Sequence, residues 1–275
     1  MNHLQSISRF GISALSVGLV AACAVVGLSL ARPTQAALVE GNKQPQLLIG
    51  LDDDRRDNAA IQSDAAADQS LSRTDVLDGG PGNDVMFGLN GNDVMDGGPG
   101  QDIILGGPDG GPAPGGPPNS DIMFGGPGDD VNLWAPGDGS EAFIGGSGLD
   151  AIIFGATDRE AVADPSTNVR LPRLLPGAAG FPQGIPTADV SGLANFCTLE
   201  RSPLPGYDYL IRFRGRAAGN IIVTVRVTGV EQVFCTDQGG NAIAFANLKD
   251  PSPAFDFVSH QDVETLNSLV GAMIR

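Results

Sequence analysis

The chain has 275 residues, of which 39 are glycine, 20 are proline and only 5% are aromatic. So many turn residues and so few aromatic side chains predict little helix and a narrow core of Val, Ile, Leu and Met between short strands. The formal net charge of −16 argues against nucleic acid as a partner, because phosphate binding requires clustered Lys and Arg, whereas clustered acids attract cations.

The first 36 residues have the pattern of an export signal peptide. A short segment that ends at Arg9 precedes an apolar run from Phe10 to Leu30, and Ala36 ends a stretch suited to a signal peptidase. Two alternatives stay open: a lipidated N-terminus at Cys23, which ends a lipobox-like segment, and an uncleaved membrane anchor. We therefore expect a secreted or cell-surface protein that meets the membrane only in those two cases.

The remaining chain divides into four zones of different composition. Residues 37–73 are polar, lack an apolar period, and are expected to form a linker or a loosely packed cap. Repeats occupy 74–155, a Pro/Gly-rich connection occupies 156–196, and a C-terminal module occupies 197–275.

The repeat zone follows a nine-residue plan, Gly-Gly-x-Gly-x-Asp-x-(apolar)-x, with units that begin at Gly79, Gly88 and Gly97. Ten residues from Gly106 to Gly115 interrupt the series and are expected to form a surface loop, after which the register resumes. An acid stands at each sixth position, and these acids are Asp75, Asp84, Asp93, Asp102, Asp121, Asp130, Glu141 and Asp150.

Each unit predicts a turn followed by a very short strand, such as Val85 to Phe87. In Gly80-Pro81-Gly82 the proline fixes φ and the next glycine permits a positive φ, which predicts a type II turn. Two units then form one coil of about 18 residues, and stacked coils form a parallel β-roll. The middle residues of the strands face its core, and they are Met86, Met95, Ile104, Met123, Phe143 and Ile152. Asn132 breaks this pattern.

Stacking would place each acid beside the acid two units away, for example Asp84 beside Asp102. Columns of uncompensated carboxylates repel, and a hard divalent cation would relieve the repulsion. Glycine turns expose backbone carbonyls, and Ca²⁺ accepts about six to eight carbonyl and carboxylate oxygens. We therefore expect calcium ions between the turns, held by the eight sixth-position acids. The alternative is a ladder of solvated turn residues, since Asp and Gly also favour turns by themselves.

The units at 79–87, 97–105, 125–133 and 145–153 resemble the repeats-in-toxin family of hemolysin-type calcium-binding repeats. The resemblance implies a parallel β-roll in which sixth-position aspartates and turn carbonyls hold Ca²⁺ between successive turns. Glu141 departs from the motif by replacing an aspartate with a longer side chain.

The C-terminal module is expected to be a small α+β unit. Alternating apolar residues from Tyr207 to Phe213 and from Ile221 to Thr228 predict an antiparallel hairpin with one buried face. Residues from Ala242 to Leu248 are a candidate third strand, and Ser259 begins a predicted amphipathic helix.

Two further features of this module concern cross-linking and partners. Cys197 and Cys235 both follow Phe and precede Thr, which predicts a disulfide between two facing strand segments in an oxidising compartment. Arg212, Arg214 and Arg226 fall on the outer face of the hairpin, where they would suit an acidic glycan or a cell-surface component. The alternative is a solvated sheet face whose charge balances the acidic roll.

No catalytic constellation is identified in the sequence. His260 is the only histidine after the signal, no His-Glu-x-x-His motif occurs, and Gly145 to Leu149 does not form a Gly-x-Ser-x-Gly elbow. We therefore expect a non-enzymatic, exported calcium-binding protein with a structural or adhesive role. The alternative is a secreted carbohydrate-active hydrolase with a calcium-stabilised roll, because pairs of acids are abundant.

Overall fold

The computed structural model describes residues 38–41, 43–44, 46–49, 75–88, 92–107, 120–161, 170–177, 180–190, 195–215, 217–239 and 243–258. The predicted signal peptide, residues 108–119 of the inserted segment and the helix predicted from Ser259 lie outside these ranges. Every element within them is a strand or a turn, which confirms a mainly β protein. Within the same ranges, no helix is long and apolar enough to cross a membrane.

The first ten strands are short and belong to the coils of the roll. They are β1 Leu38–Glu40, β2 Leu47–Ile49, β3 Val76–Asp78, β4 Val85–Phe87, β5 Val94–Asp96, β6 Ile103–Leu105, β7 Ile122–Pro127, β8 Val131–Trp134, β9 Ala142–Ser147 and β10 Ala151–Phe154. Odd-numbered strands pair in parallel in a first sheet and even-numbered strands pair in parallel in a second sheet. The alternation confirms the predicted arrangement of two units per coil.

The roll begins earlier in the chain than its glycine motif does. Strands β1 and β2 fall in the zone expected to be a linker or cap, yet β1 pairs in parallel with β3 and β2 with β4. The sequence Gly41 to Ile49 is therefore a degenerate unit, which ends in strand β2 but lacks the glycine spacing of the later units.

The predicted type II turn is wrong. Such a turn needs φ of about +80° at Gly82, but Gly82 has φ 155° and the left-handed residue is Gly80, with φ 72°. The Gly82 N–H donates to Pro99 O of the next coil at 2.9 Å. The turn is therefore attached to the next coil by its own backbone.

Ten further strands follow the roll. They are β11 Arg159–Ala161, β12 Arg170–Pro172, β13 Leu174–Leu175, β14 Ile185–Pro186, β15 Asn195–Arg201, β16 Tyr209–Gly215, β17 Ile221–Thr228, β18 Gln232–Thr236, β19 Ile243–Asn247 and β20 Asp256–Val258. The antiparallel pairing of β16 with β17 is the predicted hairpin, and β19 is the candidate third strand.

The C-terminal strands continue the sheets of the roll. Strand β17 pairs in parallel with β9, and β18 pairs in parallel with β10. The first sheet therefore has the order β1-β3-β5-β7-β9-β17-β16-β15, and the second has the order β2-β4-β6-β8-β10-β18-β19-β20. An open roll end would expose unpaired backbone groups, and these strands supply their partners.

One apolar core runs between the two sheets through both parts of the chain. The predicted middle residues of the coil strands lie in it, together with Val225, Val227 and Val233. The Phe213 ring lies 4.6 Å from the Trp134 ring between centroids, which joins the hairpin to the last coils. The predicted disulfide is present: Cys197 in β15 is bonded to Cys235 in β18, so it links the two sheets.

Asn132 occupies a middle position and is fully buried in this core. Its Nδ2 donates to Met123 Sδ at 2.9 Å. The polar residue that interrupts the apolar pattern therefore donates a hydrogen bond to a methionine of the core.

The segment expected as a Pro/Gly-rich connection covers the outer face of the second sheet. Phe181, Ile185 and Val190 are buried against the outward residues of the even-numbered strands. Gln183 Nε2 also donates to the Asn83 carbonyl at 2.9 Å, which attaches the segment to a turn. The cause is visible in the sequence, because strands such as Val85–Phe87 and Ile103–Leu105 are apolar on both faces.

We predict that Phe181→Ala lowers the unfolding free energy by about 3 to 5 kcal/mol, because it empties a fully buried site. Phe124→Ala is the matched control, since that residue is 39% exposed on the outer face of the first sheet. Denaturant unfolding at fixed calcium measures both. Equal losses for the two variants would show that the segment does not cover the second sheet.

Candidate metal-binding columns

The sixth-position acids form two columns, each built by the turns on one side of the roll. The turns that lead from the first sheet to the second carry the Asp84 column, which comprises Asp84, Asp102, Asp130 and Asp150. The turns that lead back carry the Asp93 column, which comprises Asp75, Asp93, Asp121 and Glu141.

Within each column, one carboxylate oxygen bonds the neighbouring coil. Asp84 N donates to Asp102 Oδ1 at 2.7 Å, Asp102 N to Asp130 Oδ1 at 2.8 Å, and Asp130 N to Asp150 Oδ1 at 2.9 Å. The contact from Asp102 to Asp130 spans the inserted segment, so the insertion leaves the stacking intact, as expected.

The Asp93 column repeats this geometry. Asp75 N donates to Asp93 Oδ1 at 2.8 Å, and Asp93 N donates to Asp121 Oδ1 at 2.7 Å. Glu141 follows in the next coil, where the Ala142 N–H donates to Asp121 O at 2.9 Å. The structure thus brings all eight predicted acids into the two columns, and all eight are buried.

The second carboxylate oxygen defines the chemistry of the Asp84 column. Within the described residues, the Oδ2 atoms of Asp84, Asp102, Asp130 and Asp150 are buried and accept no hydrogen bond, and the same holds for Asp93 in the other column. Burial of an unpaired carboxylate oxygen is costly, so each of these atoms requires a cation or a proton.

The first glycine of each unit shows where these oxygens point. A Cβ added to Gly125 would lie 2.5 Å from Asp130 Oδ2 and 2.6 Å from Gly145 O of the next coil. A Cβ added to Gly97 would likewise lie 2.5 Å from Asp102 Oδ2 and 2.8 Å from Gly125 O. No side chain fits at this position, because a carboxylate oxygen and a carbonyl oxygen both approach it. Two acceptors that face each other without a donor are a fitting place for a cation.

The electrostatics point in the same direction. Burial raises the pKa of Asp102 to about 8. The hydrogen bond from the Asp84 N–H lowers this pKa, and the charge of Asp130 raises it further. Burial and the charge of Asp121 raise the pKa of Asp93 to about 8. Burial also raises the pKa of Asp130 and Asp150 to about 7 and that of Asp84 to about 6. Without a cation, the columns therefore hold protons near neutral pH.

The donor set fits calcium. Among the residues that the structure describes, no three His, Cys, Asp or Glu side chains gather around one point. A cation in a column would therefore be held by acids of successive coils together with glycine carbonyls. All of these donors are hard oxygens in a backbone-lined site, which suits Ca²⁺ better than the tight octahedron of Mg²⁺.

Two residues outside the predicted set of acids extend the Asp84 column. The Gln46 N–H donates to Asp84 Oδ1 at 2.7 Å, and Gln46 Nε2 lies 3.4 Å from Gly79 O. At the other end, Asp150 N donates to Glu231 Oε2 at 2.7 Å. The signal for Gln46 is that it is the sixth residue of a unit that begins at Gly41, but Glu231 follows no repeat motif.

The three arginines of the hairpin already have partners within the molecule. Arg212 Nε lies 2.8 Å from Glu200 Oε2, Arg214 Nε donates to Thr198 Oγ1 at 2.9 Å, and Arg226 donates to the Ser140 carbonyl at 3.2 Å. Their guanidinium groups hold the hairpin to its neighbours.

Comparison with known protein families identifies the repeats. Residues 71–107 match the family model of the RTX calcium-binding nonapeptide repeat, with four copies. Comparisons with curated proteins and with solved structures found no match. RTX nonapeptide repeats bind Ca²⁺, and proteins that carry them are typically secreted. Residues 71–107 of the chain therefore carry calcium-binding nonapeptide repeats of the RTX type.

Proposed function

We propose that both columns hold Ca²⁺ between successive coils and that the ions stabilise the roll. The ligands are the carboxylates of Asp75, Asp84, Asp93, Asp102, Asp121, Asp130, Glu141 and Asp150, together with carbonyl oxygens of the glycine turns. The observation that carries the proposal is the set of buried Oδ2 atoms without a hydrogen-bond partner, of which Asp102 and Asp130 also face glycine carbonyls.

The backbone positions the carboxylates, and the glycines leave space for their oxygens. At Asp102 and Asp130, Oδ1 fixes the carboxylate by accepting a backbone N–H of the adjacent coil, so Oδ2 is held towards the turn. Glycine at the first position leaves room for the two oxygens. When bound, Ca²⁺ supplies the positive charge that the stacked acids lack.

We further propose that the protein acts outside the cell, in a structural or adhesive role. Three observations support this location: the N-terminal pattern of an export signal, the disulfide between Cys197 and Cys235, and the usual secretion of RTX repeat proteins. Extracellular calcium sites commonly bind at about 10⁻⁴ to 10⁻³ M, so calcium at these levels would favour the folded roll there.

We propose neither a glycan partner nor glycoside hydrolysis for this chain. The hairpin arginines are engaged by Glu200, Thr198 and Ser140. The buried acids of the columns face glycine turns and not an open cleft, so a glycosidic bond could not reach them.

Calcium-dependent unfolding tests the proposal directly. We predict that Asp102→Asn lowers the calcium-dependent part of the unfolding free energy by about 1 to 3 kcal/mol, because two neighbouring sites lose a charged ligand. Asp75→Asn is the matched comparison and should change it little, because Asp75 is the first acid of its column and contributes to one site at most. Unfolding curves at increasing calcium measure both variants.

The same variants in a chelator sharpen the test. Without calcium, Asp102→Asn should leave stability unchanged or raise it, because the amide carries no charge, whereas the buried acid must be neutralised by a proton. A wild-type chain with identical unfolding curves in EDTA and in excess calcium would contradict the proposal. Equal effects of the two substitutions at high calcium would contradict the stacking of ligands.

We also predict that the calcium-free roll loses stability as the pH rises. The folded-state pKa of Asp102 and of Asp93 is about 8, well above the ordinary value of 3.8, so the folded chain binds more protons than the unfolded chain between these values. The free energy of unfolding therefore falls from about pH 4 to about pH 8. Unfolding in EDTA across this range measures the slope, and a rise of stability with pH would contradict buried, protonated columns.

A further inference from the structure

The Asp84 column continues beyond the repeats into the C-terminal strands. Strand β18 pairs with β10 so that Gln232 is level with Ala151, which places Glu231 level with Asp150. In the Asp93 column, Arg226 is level with Ala142, which places Val225 level with Glu141. Only the Asp84 column therefore has an acid at this position of the C-terminal strands.

The contacts of Glu231 repeat those between two coils of the roll. Asp150 N donates to Glu231 Oε2 at 2.7 Å, as Asp130 N donates to Asp150 Oδ1 at 2.9 Å. The N–H groups of Glu231 and Gln232 both donate to Asp150 O, at 2.9 and 3.1 Å. The turn between β17 and β18 thus stacks on the last coil in the way that one coil stacks on the next.

A second observation points to a ligand at this place. The Asp150 side chain is fully buried, and its Oδ2 accepts no hydrogen bond within the described residues. A Cβ added to Gly145 would lie 2.7 Å from this oxygen and closer still to Gly229 O, which belongs to the turn between β17 and β18. A buried carboxylate oxygen and a carbonyl oxygen again face each other without a donor.

We propose that Asp150, Glu231 and the Gly229 carbonyl oxygen hold a further Ca²⁺ that fastens the C-terminal strands to the last coil. This inference rests on the proposed calcium binding of the columns and adds a site outside the repeat motif. The site couples the two parts of the chain, because the ion takes one ligand from Asp150, directly before β10, and two from the turn between β17 and β18.

Lys249 modulates the proposed site. Its Nζ lies 3.6 Å from Glu231 Oε1, and its side chain is 63% exposed whereas that of Glu231 is 13% exposed. An exposed ammonium group leaves a carboxylate at little cost, so a calcium ion can displace it. Lys249 therefore competes with calcium at this site, where its charge acts on Asp150 as well as on Glu231.

The test uses the full exported chain with its disulfide, and Ca²⁺ alone as the probe. Amide hydrogen exchange at increasing calcium gives, for each strand, the concentration at which the amides become protected. Calorimetric titration gives the number of ions bound. The variants are Glu231→Gln and Lys249→Met, and Glu200→Gln is the matched control, because it removes the same charge from β15 without touching the column.

We expect Glu231→Gln to bind one ion fewer than the wild type, and protection of Gln232–Thr236 to require at least about tenfold more calcium, as for loss of a charged ligand. Protection of β4 and β6 should stay unchanged, and Glu200→Gln should match the wild type. Lys249→Met should lower the calcium concentration that protects β18 by about twofold to fivefold, the effect of one exposed ion pair.

The outcomes separate this inference from the proposed function. A wild type that binds no calcium overturns both. A Glu231→Gln chain that binds as many ions as the wild type, with unchanged protection of β18, overturns the junction site alone. If Glu231→Gln does not fold, Lys249→Met decides: a lower calcium requirement for β18 supports the site, and an unchanged requirement overturns it.

Discussion

The structure depends on one repeated interaction, a buried carboxylate between two coils. One oxygen accepts a backbone N–H of the adjacent coil, and the other faces a glycine turn without a donor, as at Asp102 and Asp130. The hydrogen bond to the first oxygen fixes how each coil stacks on the next. The second oxygen carries a charge that must be neutralised. The glycines follow from this arrangement, because any side chain at Gly97 or Gly125 would meet both oxygens. A single chemical requirement thus accounts for the spacing of both residue types in the repeat.

The hydrophobic part of the fold is thin and would be weak without additional cover. Each coil contributes one middle residue per strand to the core between the sheets, such as Met86 or Met95. The second sheet gains a further apolar layer from the segment that carries Phe181. The C-terminal strands pair with the open end of both sheets, and the disulfide from Cys197 to Cys235 links them across the core. The segments that follow the roll in the chain therefore cover its second sheet and pair with its last strands.

Local periodicity made the repeats and their stacking predictable from the sequence. The sixth-position acids, the two units per coil and the pairing of Asp102 with Asp130 across the insertion all follow from counting residues. The hairpin of β16 and β17 and the disulfide could also be predicted, because alternation and paired cysteines are local signals. The predicted type II turn was wrong, because the left-handed residue is Gly80 and the Gly82 N–H bonds the next coil, a contact that the turn sequence alone does not show.

Contacts between distant parts of the chain were not predictable in this way. Glu231 meets Asp150 across 81 residues and carries no motif, so only the pairing of β18 with β10 reveals it. The cover over the second sheet left a signal in the two-sided apolar strands, but the sequence does not say which segment supplies it. Gln46 was hidden by the loss of glycines in its unit, although it stands at the acid position.

The measurement that tests the central claim most directly is a crystal structure of the exported chain grown in calcium, with anomalous scattering used to locate the ions. The account predicts cations in the columns, each at about 2.3 to 2.6 Å from the Oδ2 of an aspartate such as Asp102 and from a glycine carbonyl oxygen. Columns without ions at saturating calcium, with these oxygens bonded to water or protonated, would contradict it.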